Sequence, residues 1–273
     1  MSQPVVTLLT DYGLDDEFVG VCHGVIAGIC PTARIIDITH GIAPQDVLGG
    51  ALRLAAALPY LPVGVHMAVV DPGVGSDRRA VAARCRDGRV LVGPDNGLLW
   101  LGSEGAGGVA EAVEISESPV RFQPVSATFH GRDIFAPVAA HLAVGRALAE
   151  LGEPLDPGAL VHLDAPAPRV EDGRLQATVM LVDRFGNLEL NCRDGEGAEV
   201  ASRLGAEVEI RSHRGRYVRT FADAAPGQLI LYKGSSGRLA VAVNQGSAAE
   251  RLTLKIGDEL VIGPAQANKS DRA

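Results

Sequence analysis

Aromatic residues make up only 4% of this chain, with a single Trp, so stacking platforms for nucleic acid are scarce. Basic runs are missing as well. A formal net charge of -8 repels a phosphate backbone, and no basic block offsets it. Nucleic acid is therefore not an expected partner. The four cysteines, Cys22, Cys30, Cys85 and Cys192, show no C-x-x-C spacing and read as buried, reduced, structural thiols. Long apolar runs are absent too: Leu52 to Val70 is interrupted by Arg53, Pro59, Pro62 and His66, which disqualifies it as a membrane span. Met1 to Thr10 lacks the basic n-region and cleavage site of a signal peptide. The expectation is a soluble, cytoplasmic protein with no membrane partner.

What is present is a long, apolar, glycine-rich chain. At 273 residues, two domains are the better expectation, and a hydrophobic content of 47% supplies a sizeable core. Gly 33 suits many tight turns. Val5 to Thr10, Arg34 to Thr39 and Val65 to Val70 read as strands, separated by helical patterns after Phe18 and after Pro44. Asp15, Asp16 and Glu17 suit the first turn of the first helix, and Pro31 its stop. Strand, helix, strand, helix, strand predicts a mainly parallel sheet. Asp11, His40 and Asp71 then share the rim at the strands' carboxyl ends, where open α/β sheets bind ligands.

A hairpin is expected at Asp87-Gly88, a strand over Val109 to Ile115, and a helix from Ile134 to about Leu151. Asp164-Ala165-Pro166-Ala167-Pro168 reads as a stiff linker. Beyond it, short strand-like runs appear at 175–182, 188–191, 207–210, 229–232, 239–243 and 252–262, predicting a small all-β domain. The division expected is an α/β domain over 1–165, an all-β domain over 170–265 and a flexible tail over 266–273.

The chemistry centres on Asp71-Pro72-Gly73-Val74-Gly75-Ser76-Asp77-Arg78-Arg79. An apolar strand stops at an acid, and a tight Pro-Gly loop, whose Gly73 and Gly75 permit backbone angles closed to other residues, returns two arginines towards it. The alternatives for Asp71 with Arg78 are a surface ion pair at a loop base and a functional pair. For His130, beside a helix start, they are a structural side chain and a group facing a cleft. Asp11 either holds a ribose diol by two hydrogen bonds or caps its turn. Asp183-Arg184-Phe185-Gly186-Asn187 is either a plain hairpin turn or a base site, with the Phe185 ring for adenine and Asn187 for a base edge. Neither His130-x-x-Asp133 nor His40 with Asp46 has the spacing of a known zinc or two-metal site, so no metal is expected.

Together the motifs are specific. Thr10-Asp11-Tyr12-Gly13-Leu14-Asp15-Asp16, Asp71-Pro72-Gly73-Val74-Gly75, Pro94-Asp95-Asn96-Gly97-Leu98, Phe129-His130-Gly131-Arg132-Asp133, Phe185-Gly186-Asn187 and Val243-Asn244-Gln245-Gly246 occur in order. In this the chain resembles the S-adenosylmethionine (SAM) hydroxide adenosyltransferases, the SAM hydrolases related to fluorinase and chlorinase. The resemblance runs from about residue 5 to 262.

It implies an α/β N-terminal domain, a barrel-like C-terminal domain and a homotrimer, with each ligand between the N-terminal domain of one subunit and the C-terminal domain of its neighbour. The family's catalytic residues fall on Asp71, Arg78 and His130, with Arg79 an adjacent alternative for the arginine. Its ribose contact falls on Asp11, and its methionine-end and base contacts on Asp15, Asp183, Asn187 and Asn244. SAM is then the substrate, no cofactor is implied, and the expected reaction is in-line attack of water or hydroxide on ribose C5′. The halogenating relatives fit less well, since an acid at Asp71 would repel a halide. The rivals are a halide-dependent adenosyltransferase, a non-catalytic SAM or adenosine sensor, and a metal phosphohydrolase using Asp71, His130 and Asp133.

Overall fold

The computed structural model describes residues 3–193 and 205–265. The chain separates into two compact units, Met1–Asp164 and Ala165–Ala273.

The first unit is built on a seven-stranded sheet, in the order β2-β1-β3-β5-β4-β6-β7. Its strands are β1 Val5–Thr10, β2 Arg34–Thr39, β3 Val65–Val69, β4 Ala80–Cys85, β5 Val90–Pro94, β6 Val109–Glu114 and β7 Glu153–Leu155. The first four in that order are mutually parallel, and β4, β6 and β7 add an antiparallel flank. The mainly parallel α/β expectation holds. Strands covered on both faces need continuous apolar sequence, and β3 is buried throughout. Val6 and Leu8 of β1 join the core with Cys22 and Ile26 of α1 (Phe18–Ile29) and Val138 and Ala139 of α4 (Ala136–Ala143). Leu9, pointing the other way, meets Gly50 of α2 (Val47–Ala57), which packs on α3 (Leu98–Ser103).

Three local expectations are corrected. Asp15, Asp16 and Glu17 precede α1, which begins at Phe18, so no acid lies in its first turn. The helix expected from Ile134 to Leu151 is a wide π turn, Gly131–Phe135, followed by α4, which ends at Ala143 before left-handed Gly145. Gly73 is not left-handed, whereas Gly75 is, at φ +79°.

The second unit is a closed barrel. β9 (Arg174–Val182), β10 (Leu188–Arg193), β11 (Glu207–Ile210), β12 (His213–Tyr217), β13 (Leu229–Lys233), β14 (Arg238–Val243) and β15 (Glu259–Pro264) form it in the order β10-β14-β13-β12-β11-β15-β9. Pairing of β10 with β9 closes the ring and removes the open edges an antiparallel sheet would leave. β8 (Arg169–Glu171) hangs on β9. The run 252–262 is not one strand: α5 (Ala248–Leu252) occupies its start and β15 begins only at Glu259. The tail expected over 266–273 lies outside the described residues. No helix among the described residues is long and apolar enough to cross a membrane. All four cysteines are buried and none forms a disulfide among the described residues, and burial pushes the Cys22 and Cys85 thiols up to about 12.

Candidate active site

Parallel register places the acids. Thr10 of β1 pairs with Val69 of β3, so Asp11 and Asp71 leave adjacent strands at the same rim. Asn96 Nδ2 donates to the Val70 carbonyl at 2.8 Å, fixing the strand end from which Asp71 departs.

The loop after β3 folds back as expected. Arg78 grips Asp71 side-on: Nε donates to Oδ1 at 2.9 Å and to Oδ2 at 3.1 Å, and Nη2 donates to Oδ2 at 2.5 Å. The side chains are only 6% and 10% exposed, so this is a buried pair rather than a surface one. Arg78 also lies over the Phe135 ring, 5.3 Å from its centroid. The same Nη2 donates to His130 Nδ1 at 2.8 Å. A guanidinium offers only donors, so Nδ1 must present its lone pair, and neutral His130 then carries its proton on Nε2. Burial, then the Arg78 charge, holds the His130 pKa below its ordinary 6.5, with Asp71 and Asp133 pulling it back upward. Arg79 turns elsewhere: its Nε donates to Asp95 Oδ2 at 2.9 Å and its Nη2 to the Ala159 carbonyl. Arg78 is therefore the arginine that meets Asp71 and His130.

Asp133, three residues on from His130, adds a negative charge near the imidazole. Buried Asp133 accepts from Ser126 N–H at 2.7 Å and from Arg132 at 2.7 and 3.0 Å. Burial works against its ionisation, but Arg132 and that N–H prevail and keep its pKa below the usual carboxylate value. Two glycines let the pieces close. A Cβ on Gly75 would lie 2.5 Å from the Ala127 carbonyl, and one on Gly131 only 2.3 Å from the Tyr12 hydroxyl.

Tyr12 is the site residue that motif reading passed over. Its ring packs edge-on against Phe129 at 6.0 Å and near Phe18 at 5.9 Å. Burial, then nearby Cys22, Asp11 and Asp71, raises its pKa well above 10, so it remains a neutral phenol. The available signal was its place beside Asp11 in a chain with few aromatics.

Asp11 Oδ2 accepts from Gln45 N–H at 2.9 Å, and among the described residues Oδ1 has no hydrogen-bond partner. One oxygen holds the loop before α2 and the other is open for a ligand hydroxyl. Asp15 is exposed in the loop before α1. Asp11→Ala is expected to weaken both adenosine and SAM binding about 10-fold or more, since hydrogen bonds to charged groups are worth ~1.5–3 kcal/mol. Calorimetric titration checks this, and unchanged adenosine affinity would remove the ribose role.

The remaining candidates belong to the second unit. Asp183 folds its own turn, with Oδ1 accepting from Phe185 N–H at 2.8 Å and Asn187 N–H at 2.9 Å, and Oδ2 from Asn187 Nδ2 at 2.7 Å. That turn leaves Phe185 70% exposed. Asp183, Phe185 and Asn187 line an open cleft of about 670 Å³ with Phe221, Gln245 and Ser247. Asn244 sits behind this wall, its Nδ2 donating to the Ala224 carbonyl at 2.8 Å.

Of the metal pairings weighed from sequence, Asp46 caps α2 through Gly49 N–H, while His40 Nε2 lies near Asp37 instead. Among the described residues one group carries metal-ligand chemistry: His23, Asp37 and His40.

The family models of the SAM hydroxide adenosyltransferase N-terminal and C-terminal domains match residues 6–152 and 177–261. A protein of Salinispora tropica named (R)-S-adenosyl-L-methionine hydrolase is 48% identical over 94% of this chain and 97% of its own. A fluorinase of an Actinoplanes species is 30% identical over 93% of this chain and 95% of its own. The crystal structure of an uncharacterized conserved protein from Thermotoga maritima superposes with a TM-score of 0.87 at 37% identity, covering 94% of this chain and 99% of that one. On both family models and near full-length identity, this chain belongs to the SAM hydroxide adenosyltransferase family.

Proposed function

We propose that the protein hydrolyses S-adenosyl-L-methionine to adenosine and L-methionine. The observation that carries the reading is the buried Asp71–Arg78 pair joined to His130 at the sheet rim, in a chain 48% identical to a protein named for that activity. Water attacks ribose C5′ opposite sulfur. The O–C5′ bond forms, the C5′–S bond breaks with its electron pair going to sulfur, and methionine leaves as a neutral thioether. The leaving group needs neither an acid nor a metal.

The proton budget falls on the nucleophile. His130 presents Nε2–H, which donates to the attacking water and aims it. Asp71 retains lone pairs beyond those facing Arg78 and takes the proton. A carboxylate suffices, because water becomes a strongly acidic oxonium as its bond to carbon develops. Arg78 locks both neighbours in place, so the site is organised before the reaction begins.

A pH dependence follows. Protonated His130 would bring an Nδ1–H against the Arg78 Nη2–H, so the neutral imidazole is the working form. Its pKa is lowered, so kcat/KM should be level above pH 6.5 and fall on acidification with a midpoint below 6.5. A rate that instead rose on acidification would mean that the imidazolium is the active form.

The relative's name specifies the (R) form of SAM. A site that anchors the amino-acid end discriminates between the epimers, because inversion at sulfur exchanges the methyl and aminocarboxypropyl directions, so this chain should consume the (R) epimer and leave (S). Assembly as a homotrimer belongs to the same proposal and rests on the family resemblance. Incubating purified protein with SAM, with and without chloride or chelator, and resolving the products by chromatography tests the function. Adenosine and methionine in every arm support it. Tight binding without product would indicate a sensor, a chlorinated nucleoside a halide-dependent enzyme, and loss with chelator a metal-dependent one.

A further inference from the structure

We propose that His23, Asp37 and His40 bind one divalent transition-metal ion of the zinc type, tying helix α1 to strand β2 outside the water-activating trio. The three come from separate elements. His23 lies on α1, Asp37 on β2, and His40 directly after β2. His23 Nε2 is 2.8 Å from Asp37 Oδ1, and His40 Nε2 is 3.1 Å from the same oxygen. Two imidazoles thus converge on one carboxylate.

The independent pointer is His40. Its side chain is only 2% exposed, and its Nε2 is buried without a hydrogen-bond partner among the described residues. The nitrogen approaches Asp37 but misses the geometry of a hydrogen bond. Meanwhile its Nδ1 is within 2.8 Å of Thr10 Oγ1. Ring Nδ1–H held by an oxygen, with the Nε2 lone pair aimed into a polar cluster, is the arrangement that orients a metal-ligating histidine.

The ligand set selects the ion. Two imidazoles and one carboxylate suit zinc and its neighbours rather than magnesium or calcium, which prefer all-oxygen shells. Tetrahedral zinc with bonds of about 2.0–2.2 Å separates its ligand atoms by about 3.3 Å, so the two gaps to Asp37 Oδ1 need to open by only a few tenths of an ångström, and all three ligand atoms lie within 4.8 Å of one another. His23 and Asp37 are 33% and 41% exposed, leaving an entry path and room for water in the remaining position. The consequence is mechanical. Thr10 Oγ1 also accepts from Tyr12 N–H, and the His40 carbonyl accepts from Gly13 N–H. An ion there would brace the turn carrying Asp11 and Tyr12, without touching the reacting atoms.

The test uses tag-free full-length protein stripped with chelator, titrated with Zn²⁺ by calorimetry and with Co²⁺ by visible absorption. One equivalent of Zn²⁺ per chain, an intense low-coordinate Co²⁺ band and a melting temperature raised by a few degrees are expected. His23→Ala and Asp37→Ala, at partly exposed positions, should abolish the Co²⁺ band and weaken Zn²⁺ at least about 10-fold while the circular dichroism stays native. Absence of stoichiometric binding, or binding unchanged in both variants, would overturn the proposal. A metal bound without effect on melting would overturn its bracing role.

Discussion

Asp71→Asn is expected to bind SAM within about threefold of wild type while kcat falls about 10²- to 10⁴-fold, the range that general-base assistance supplies. The substitution preserves volume at a buried position but replaces one acceptor oxygen by an N–H donor. Arg78 occupies both oxygens side-on, so an Asn must turn a donor either towards the guanidinium or towards the nucleophile. Either orientation removes the proton acceptor or its alignment. Single-turnover assays beside calorimetric binding separate the two quantities. A wild-type rate would show that the proton leaves by another route.

Arg78→Ala is expected to be still more damaging, because it acts on two neighbours at once. It strips Asp71 of its partner at a site only 6% exposed, and it frees His130 Nδ1. Breaking a buried pair by removing one member costs about 3–5 kcal/mol, since the other charge stays buried. Turnover should fall by at least about 10³-fold, with a clear loss of melting temperature. The double variant Asp71→Asn with Arg78→Ala should be less destabilised than the sum of the singles, because no unpaired carboxylate remains. Additive losses would contradict the coupling. Arg79→Ala is the informative control. It loses the Asp95 contact and so some stability, but kcat should stay within about threefold.

How much of this was legible without coordinates depends on what each feature relies on. β1, β2 and β11 match their expected bounds because apolar, β-branched or alternating runs stop at acids, glycines or turn residues. Asp71 and Arg78 were legible for the same local reason, being seven residues apart across a Pro-Gly loop. β12 left no such trace: His213-Arg214-Gly215-Arg216-Tyr217 puts a glycine at its buried position, so no apolar alternation marks it. Ala147, Leu148 and Leu151 continue an apolar pattern that predicts a longer α4, but the chain turns at Gly145 and the helix ends at Ala143. His130 lies 52 residues from Arg78, and only the family resemblance joined them before the fold did. Asn96 bracing Val70, and Tyr12 against Gly131, depend on tertiary approach that no spacing encodes. The His23–Asp37–His40 group was missed for that reason too, since it exists only where α1 packs beside β2.

The central claim is that solvent attacks the sugar carbon. Running the reaction in water enriched in ¹⁸O, then weighing both products by mass spectrometry, addresses it most directly. The account predicts one ¹⁸O in the 5′-hydroxyl of adenosine and none in methionine. Unlabelled adenosine, or label in the amino-acid product, would contradict attack at C5′.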